Sequence, residues 1–231
     1  MKRFWKAAEA VADDGGWGVQ LDGRPLRTPG KAALVVPMQA LGQAIAGEWA
    51  SAGETVDPRA MPLTGLANAA IDRVAPDRLS FAAGLAKYAE ADLACYRSPG
   101  PQTLAERQAE SWDGLLGWAR RRYDVDFVIT TGIVHVDQPP ATVDRLAHEV
   151  ATFDSFHLAG LLPLVTVGGS LVAALAVIEG AMTAAQAWEA VSIDERWQIE
   201  KWGADAEAQA AIDNRRADFF AAANFLKLLD A

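Results

Sequence analysis

The spacing of hydrophobic and polar positions along this chain changes period once, near Pro37. Before that point, short runs alternate apolar residues with small or polar ones, the two-residue period of a strand with one buried face. Phe4 to Val11 reads as a candidate strand weakened by its alanines. Asp13-Asp14-Gly15-Gly16 turns the chain and Trp17 to Leu21 alternates. Asp22-Gly23 then carries the strongest hairpin signal, because both residue types tolerate positive φ. Pro25 to Thr28 continues, Pro29-Gly30 turns again, and Ala33 to Val36 supplies a last short strand. The pattern predicts a small antiparallel β domain over residues 1–37.

From residue 38 to 231 the period is helical, which predicts a larger, mainly α-helical domain and an α+β fold class. Leu41, Ile45, Glu48 and Trp49 share a helical spacing that Gly53 closes. Pro58 and Pro62 bracket Met61 before a helix carrying Leu63, Leu66, Ala70 and Ile71. Pro76 opens the next, with Leu79, Phe81, Leu85 and Tyr88. After the break at Ser98-Pro99-Gly100-Pro101, a longer helix carries Leu104, Gln108, Trp112, Leu115 and Leu116 to about Tyr123. Val125 to Thr131 reads as β-like, with Val134 to Val136 as its partner across Gly132. Gln138-Pro139-Pro140 introduces a helix through Val143, Leu146 and Val150. Thr183 and Gln186 form a capping box, and a final helix runs from about Asp205 to Leu229.

Leu158 to Ile178 holds no charged residue and is about long enough to cross a bilayer. Pro163, Thr166, Gly168, Gly169 and Ser170 fall in its middle, where proline and paired glycines oppose one continuous helix. Two buried helices are expected instead, the second starting at Ser170, with no stable membrane insertion.

The 231 residues are 51% hydrophobic and carry a net charge of −9. That balance disfavours general binding to nucleic acid, since little positive charge is available to displace counterions from phosphates. Cys95 is the only cysteine, which excludes an intramolecular disulfide or a multi-thiolate metal site, and its apolar neighbours suggest a small buried hydrophobe. Lys2, Arg3 and Lys6 alternate with Phe4 and Trp5 and lead into no long apolar run, so a cytoplasmic protein without a secretory signal is expected.

Candidate chemistry is sparse. No phosphate-binding loop is present; Gly168-Gly169-Ser170 lacks the lysine such a loop needs and reads as a turn with a serine cap. His148 and His157 are nine apart, which does not place them on one helical face at ligand spacing. No cofactor and no metal are expected. Arg120-Arg121-Arg122 reads either as a surface for an acidic partner or as a solvated helix end favoured by the helix dipole. Asp72, Asp92 and Arg97 lie beside apolar helices, where they can form buried pairs. An enzyme acting on an unknown small molecule would use Asp72 and Asp92 as paired carboxylates.

The segment Ser192 to Glu207 is the most informative. Ser192 and Glu195 have capping-box spacing, Trp197 stands four residues before Lys201, and Trp202 precedes Gly203, where a helix stop is expected. Two indoles interleaved with Asp194, Glu195, Glu200, Asp205 and Glu207 predict an apolar, negatively charged surface on which another protein docks. For Trp197 and Trp202 the docking and core readings stand equal.

Several stretches, in this order, resemble the Atp12 family of assembly chaperones for the F1 sector of ATP synthase. They are Arg3-Phe4-Trp5-Lys6, Leu21 to Lys31, Glu48-Trp49, Met61-Pro62-Leu63-Thr64, Asp92 to Arg97, Gln108, Trp112-Asp113 and Gln198 to Gly203. The resemblance implies a β domain followed by a helical domain. It also implies an ATP-independent chaperone, not an enzyme, that binds the unassembled α subunit of F1-ATPase until the β subunit replaces it. It carries an acidic binding role onto Glu200 and Asp205, with Trp202 as aromatic neighbour and Glu207 as a further addition. Without a mitochondrial targeting extension, the chain resembles a bacterial member acting as a monomer in the cytoplasm.

Overall fold

Strand β1 (Ala8–Asp13) pairs antiparallel with β2 (Gly16–Leu21), from Ala8 opposite Leu21 to Asp13 opposite Gly16. The chain then reverses through Asp22 and Gly23, with φ of 48° and 75°, into β3 (Arg24–Pro25). Both values are the left-handed conformation a two-residue hairpin turn demands, which explains the Asp-Gly pair. Asp22 also ties the turn to the chain before β1, since its carboxylate accepts from the Lys6 and Ala7 amides at 2.9–3.1 Å. Those bonds hold its pKa below the usual carboxylate value. Strand β4 (Val35–Val36) completes the sheet on the β3 side of β2, opposite Trp17 and Gly18. The computed structural model describes residues 2–203 and 205–231.

The chain groups into two compact units. The first runs through Arg78 and adds Asp154–Gly160 and Asn224–Ala231; the second takes Leu79–Phe153 and Leu161–Ala223. In the first, α1 (Gln39–Ser51) packs its Leu41, Ile45 and Trp49 face on β1 and β2. Trp5 and Trp49 rings lie 5.1 Å apart, and the Trp5 indole donates to the Trp49 carbonyl at 3.0 Å. Helix α2 (Pro62–Ala69) lacks a cap of its own. Glu48 of α1 supplies it, accepting from the Leu63 and Thr64 amides at 2.8 Å and from the Thr64 hydroxyl at 2.6 Å.

The second unit is helical, with α3 (Arg78–Ala86) followed by short 3-10 turns. Leu79, expected on an apolar face, is exposed. Strand β5 (Tyr96–Arg97) leads to the long α4 (Gln102–Tyr123), which buries Leu104, Trp112, Leu115 and Leu116. The Trp112 indole donates to the Ala190 carbonyl at 2.8 Å. Strand β6 (Thr130–Thr131) pairs parallel with β5, so the expected hairpin across Gly132 does not form. Its would-be strand is satisfied otherwise: the buried Gln138 amide donates to the Val128 carbonyl and accepts from the Val128 amide. Thr142 serves Asp126 in the same way.

Helix α5 (Pro140–Thr152) begins at the expected prolines. Helix α6 (Ser155–Gly168) runs through Pro163, and the break expected in this tract falls at Gly169, whose φ is 69°. Helix α7 (Leu171–Ile178) starts at Ser170, whose hydroxyl accepts from the Ala173 amide at 3.0 Å. Helix α8 (Ala184–Val191) carries the Thr183/Gln186 capping box. Among the described residues, no helix is long and apolar enough to cross a membrane. Helices α9 (Ile193–Trp202) and α10 (Ala206–Leu229) end the chain.

Candidate functional site

Helix α9 follows α8 with only Ser192 between them. The Ser192 amide donates to Trp188 and its carbonyl accepts from Arg196, so the backbone bonding passes straight through. The Ser192 amide that Glu195 would reach back to is therefore already taken, and the predicted Ser192/Glu195 capping box is absent. Ser192 instead donates its hydroxyl to the Trp188 carbonyl at 2.6 Å, and Glu195 accepts from Arg215 at 2.6 Å. At the other end, Gly203 has φ of 78° and donates its amide to Ile199, the stop its position predicted.

The two tryptophans of α9 separate. Trp197 is buried, with the Arg107 guanidinium and the Lys201 ammonium 4.9 and 4.7 Å from its ring centroid. Trp202 is 78% exposed. It stands on the rim of a groove of about 420 Å³ formed by α9, the start of α4, the 98–101 loop and the turn after β6. Ile133, 97% exposed, lines the groove from that turn. Pro99, Leu104 and Trp197 give the groove apolar walls, and Val134 beside Ile133 is 75% exposed. Exposed large apolar side chains around a concavity are uncommon on a surface without a partner.

Polar groups at the groove are mostly committed. Arg97 lies 5.1 Å over the Trp112 ring and donates through Nη2 to Asp113 at 2.7 Å, while its buried Nη1 has no hydrogen-bond partner among the described residues. Gln108 is buried in α4; it accepts from the Ser98 amide and donates to Asp194, both at 2.7 Å. Asp194 is half-buried in the first turn of α9. Burial raises its pKa, the Gln108 bond lowers it, and the neighbouring Glu195 charge raises it further. Among the described residues no lysine or arginine nitrogen reaches salt-bridge distance of Asp194.

The four residues expected at a partner site fall at the end of α9 and the start of α10. Glu200 is paired with Arg107 at 2.7 Å. Trp202 is open, as described. Asp205 is exposed and accepts from the Ala208 amide at 2.7 Å, capping α10. Glu207 is exposed in the first turn of that helix. The expected negative surface is thus partly neutralised by Arg107 on Glu200 and Arg215 on Glu195. Sequence reasoning does not single out Ile133 and Gln108 as site residues; the signals it offers are an apolar Ile133-Val134 pair directly after Gly132 and the place of Gln108 among the resembling positions.

The pair a catalytic reading would use is engaged elsewhere. Asp72, in the first unit, accepts from the Thr28 hydroxyl and the Gly30 amide at 2.7 Å. Asp92, in the second, is wholly buried and accepts from Ser170, Val172 and Ala94. Cys95 is buried, and burial pushes its thiol up to about 12, far from a reactive thiolate. Among the described residues, no three His, Cys, Asp or Glu side chains converge as a metal site.

Comparison with known proteins places this arrangement. The solved structure of Atp12 from Paracoccus denitrificans superposes with a TM-score of 0.93 at 44% identity, covering 99% of this chain and 98% of that one. A solved mutant of the same Paracoccus protein gives the same TM-score and identity, with 97% of its chain covered. The chain is also 26% identical over 229 residues to the mitochondrial protein atp12 of Schizosaccharomyces pombe, covering 92% of this chain and 77% of that one. The sequence model of the family described as "ATP12 chaperone protein" matches residues 2–120. The chain belongs to the ATP12 chaperone protein family.

Proposed function

We propose that this chain is an ATP-independent assembly factor that holds the unassembled α subunit of F1-ATPase and covers its subunit interface until the β subunit takes its place. Family membership supports the chaperone part of this reading. The observation that carries the binding part is Trp202, an indole left 78% exposed at the end of a helix whose other tryptophan is buried. A subunit released before assembly presents apolar area with unpaired polar groups, and such area aggregates. Aromatic anchors with a charged rim can cover it at modest affinity, without chemistry. Handover then needs only overlapping sites and stronger contacts from β. The bacterial relatives support a cytoplasmic setting for this work.

Within this reading Glu200, Trp202, Asp205 and Glu207 are the client-facing residues. The direct test is co-purification of the full chain with isolated α subunit, isolated β subunit and assembled F1. Retention of α alone is expected; equal retention of all three, or of none, would overturn the proposal. Glu200→Lys combined with Asp205→Lys is expected to weaken α capture by about tenfold, the scale of a small cluster of interface residues. Circular dichroism and thermal unfolding check that the variant is folded. Undiminished capture by the folded variant would remove both carboxylates from the interface.

A further inference from the structure

The exposed side chains around the groove point to what it holds. Ile133 and Trp202 flank an apolar trough, and Asp194 in its wall is a half-buried carboxylate. Among the described residues, its hydrogen-bond partner is the neutral Gln108 amide. Arg97, a cation in the groove lining, is already paired with Asp113 and stacked on Trp112. Arg107 is paired with Glu200, and Lys201 lies on the Trp197 ring. A carboxylate taken partly out of water without a cation is costly, and an incoming ammonium or guanidinium removes that cost. Lysine and arginine also have apolar stems that can lie along an indole while the head reaches a carboxylate. Asp205 and Glu207, beyond the groove's Trp202 end in sequence, add negative charge.

We propose that this groove seats one extended segment of the client, with an apolar side chain between Trp202 and Ile133 and an adjacent lysine or arginine paired to Asp194. The proposal rests on the reading of the client as the F1 α subunit and names the face and the chemistry by which that subunit is held. A second copy of this chain is a poor occupant, because each copy carries a net charge of −9 and the copies repel.

The test uses the full chain and isolated F1 α subunit. A photo-crosslinking amino acid is placed at position 133 and, as a control, at the exposed Phe4 position, and crosslinked peptides are identified by mass spectrometry. Affinity for α is measured for Ile133→Ser with Trp202→Ser, and for Asp194→Asn, over a range of salt concentrations. Ile133 and Trp202 are exposed, and asparagine keeps an oxygen to accept from Gln108, so the variants should unfold at the wild-type temperature.

Position 133 is expected to crosslink to an α segment containing lysine or arginine, and the Phe4 position to give no such product. The double variant should lose about tenfold or more in affinity. Asp194→Asn should lose about threefold or more and show a flatter salt dependence. Wild-type capture of α with all groove variants within about twofold of it would overturn the groove while leaving the function intact. Crosslinks to a second copy, within the chain, or to an α segment without a basic residue would also overturn it. No capture of α by the wild-type chain would overturn the function and the groove together.

Discussion

Asp92 shows how one side chain can fasten two parts of a unit. It is fully buried, and its carboxylate accepts from the Ser170 hydroxyl at 2.8 Å and from the Val172 and Ala94 amides at 3.0 Å. Burial pushes its pKa up, and these bonds pull it down. Asp92→Ala would leave buried donors without acceptors, at about 1–3 kcal/mol each. The expected loss is about 2–4 kcal/mol by urea unfolding, after allowance for the relieved cost of burying the charge. An unchanged midpoint would contradict this role.

His157 makes a different prediction, in pH. Its Nδ1 lies 2.9 Å from Asp154 and its Nε2 3.6 Å from Asp230. The Asp154 bond raises the histidine above its ordinary 6.5, and the same bond lowers Asp154 below its ordinary 3.8. A raised histidine pKa contributes stability that is complete below the unfolded value and fades as pH climbs through the folded one. A depressed carboxylate pKa contributes above the unfolded value and fades as pH falls through the folded one. Both contributions coexist between about pH 4 and 6.5. The melting-temperature gap between wild type and His157→Gln should therefore be widest near pH 5 and narrow by about pH 9. A constant gap would count against the pair.

At this scale the sequence separates core from surface unevenly. Trp49 and Trp112 are legible as core because each lies on a helical apolar spacing, and both are buried. Trp197 and Trp202 look alike in sequence, although five residues at 100° each put them roughly 140° apart on a helix. One is buried and the other open for that reason.

Among elements, signals that depend on local backbone geometry are readable. Asp22-Gly23 forms its hairpin turn, and Thr183 with Gln186 forms the capping box. Signals that depend on what surrounds the segment are not. Ser192 and Glu195 have the spacing of a capping box, but the Ser192 amide and hydroxyl both go back to the Trp188 carbonyl of α8. Residues 125–131 have strand composition, but only Thr130 and Thr131 pair as a strand, while Gln138 and Thr142 take the hydrogen bonds of Val128 and Asp126. The change of period at Pro37 marks where strand gives way to helix, while the first unit of packing extends through Arg78 because α1 lies on the sheet.

Close approach also acts at this scale. A Cβ added at Gly16 would run into the Val36 carbonyl oxygen, where β2 and β4 meet. Gly16→Ala must push two strands apart and is expected to cost about 2 kcal/mol. Thermal unfolding measures it directly, and a variant as stable as wild type would show that the strands can yield freely.

For the molecule as a whole, family and fold class are legible because the resembling stretches run in order from Arg3 to Gly203. The groove is not, since its banks come from residues about 30 to 100 positions apart and no sequence period links Ile133 to Trp202. The acidic balance of the chain suits a client with a basic rim, and salt should weaken their association. Titration of isolated F1 α subunit with the full chain, followed by addition of β, tests the central claim most directly. Saturable binding to α that β displaces is the predicted result; absence of binding, or a complex with α that β leaves intact, would contradict it.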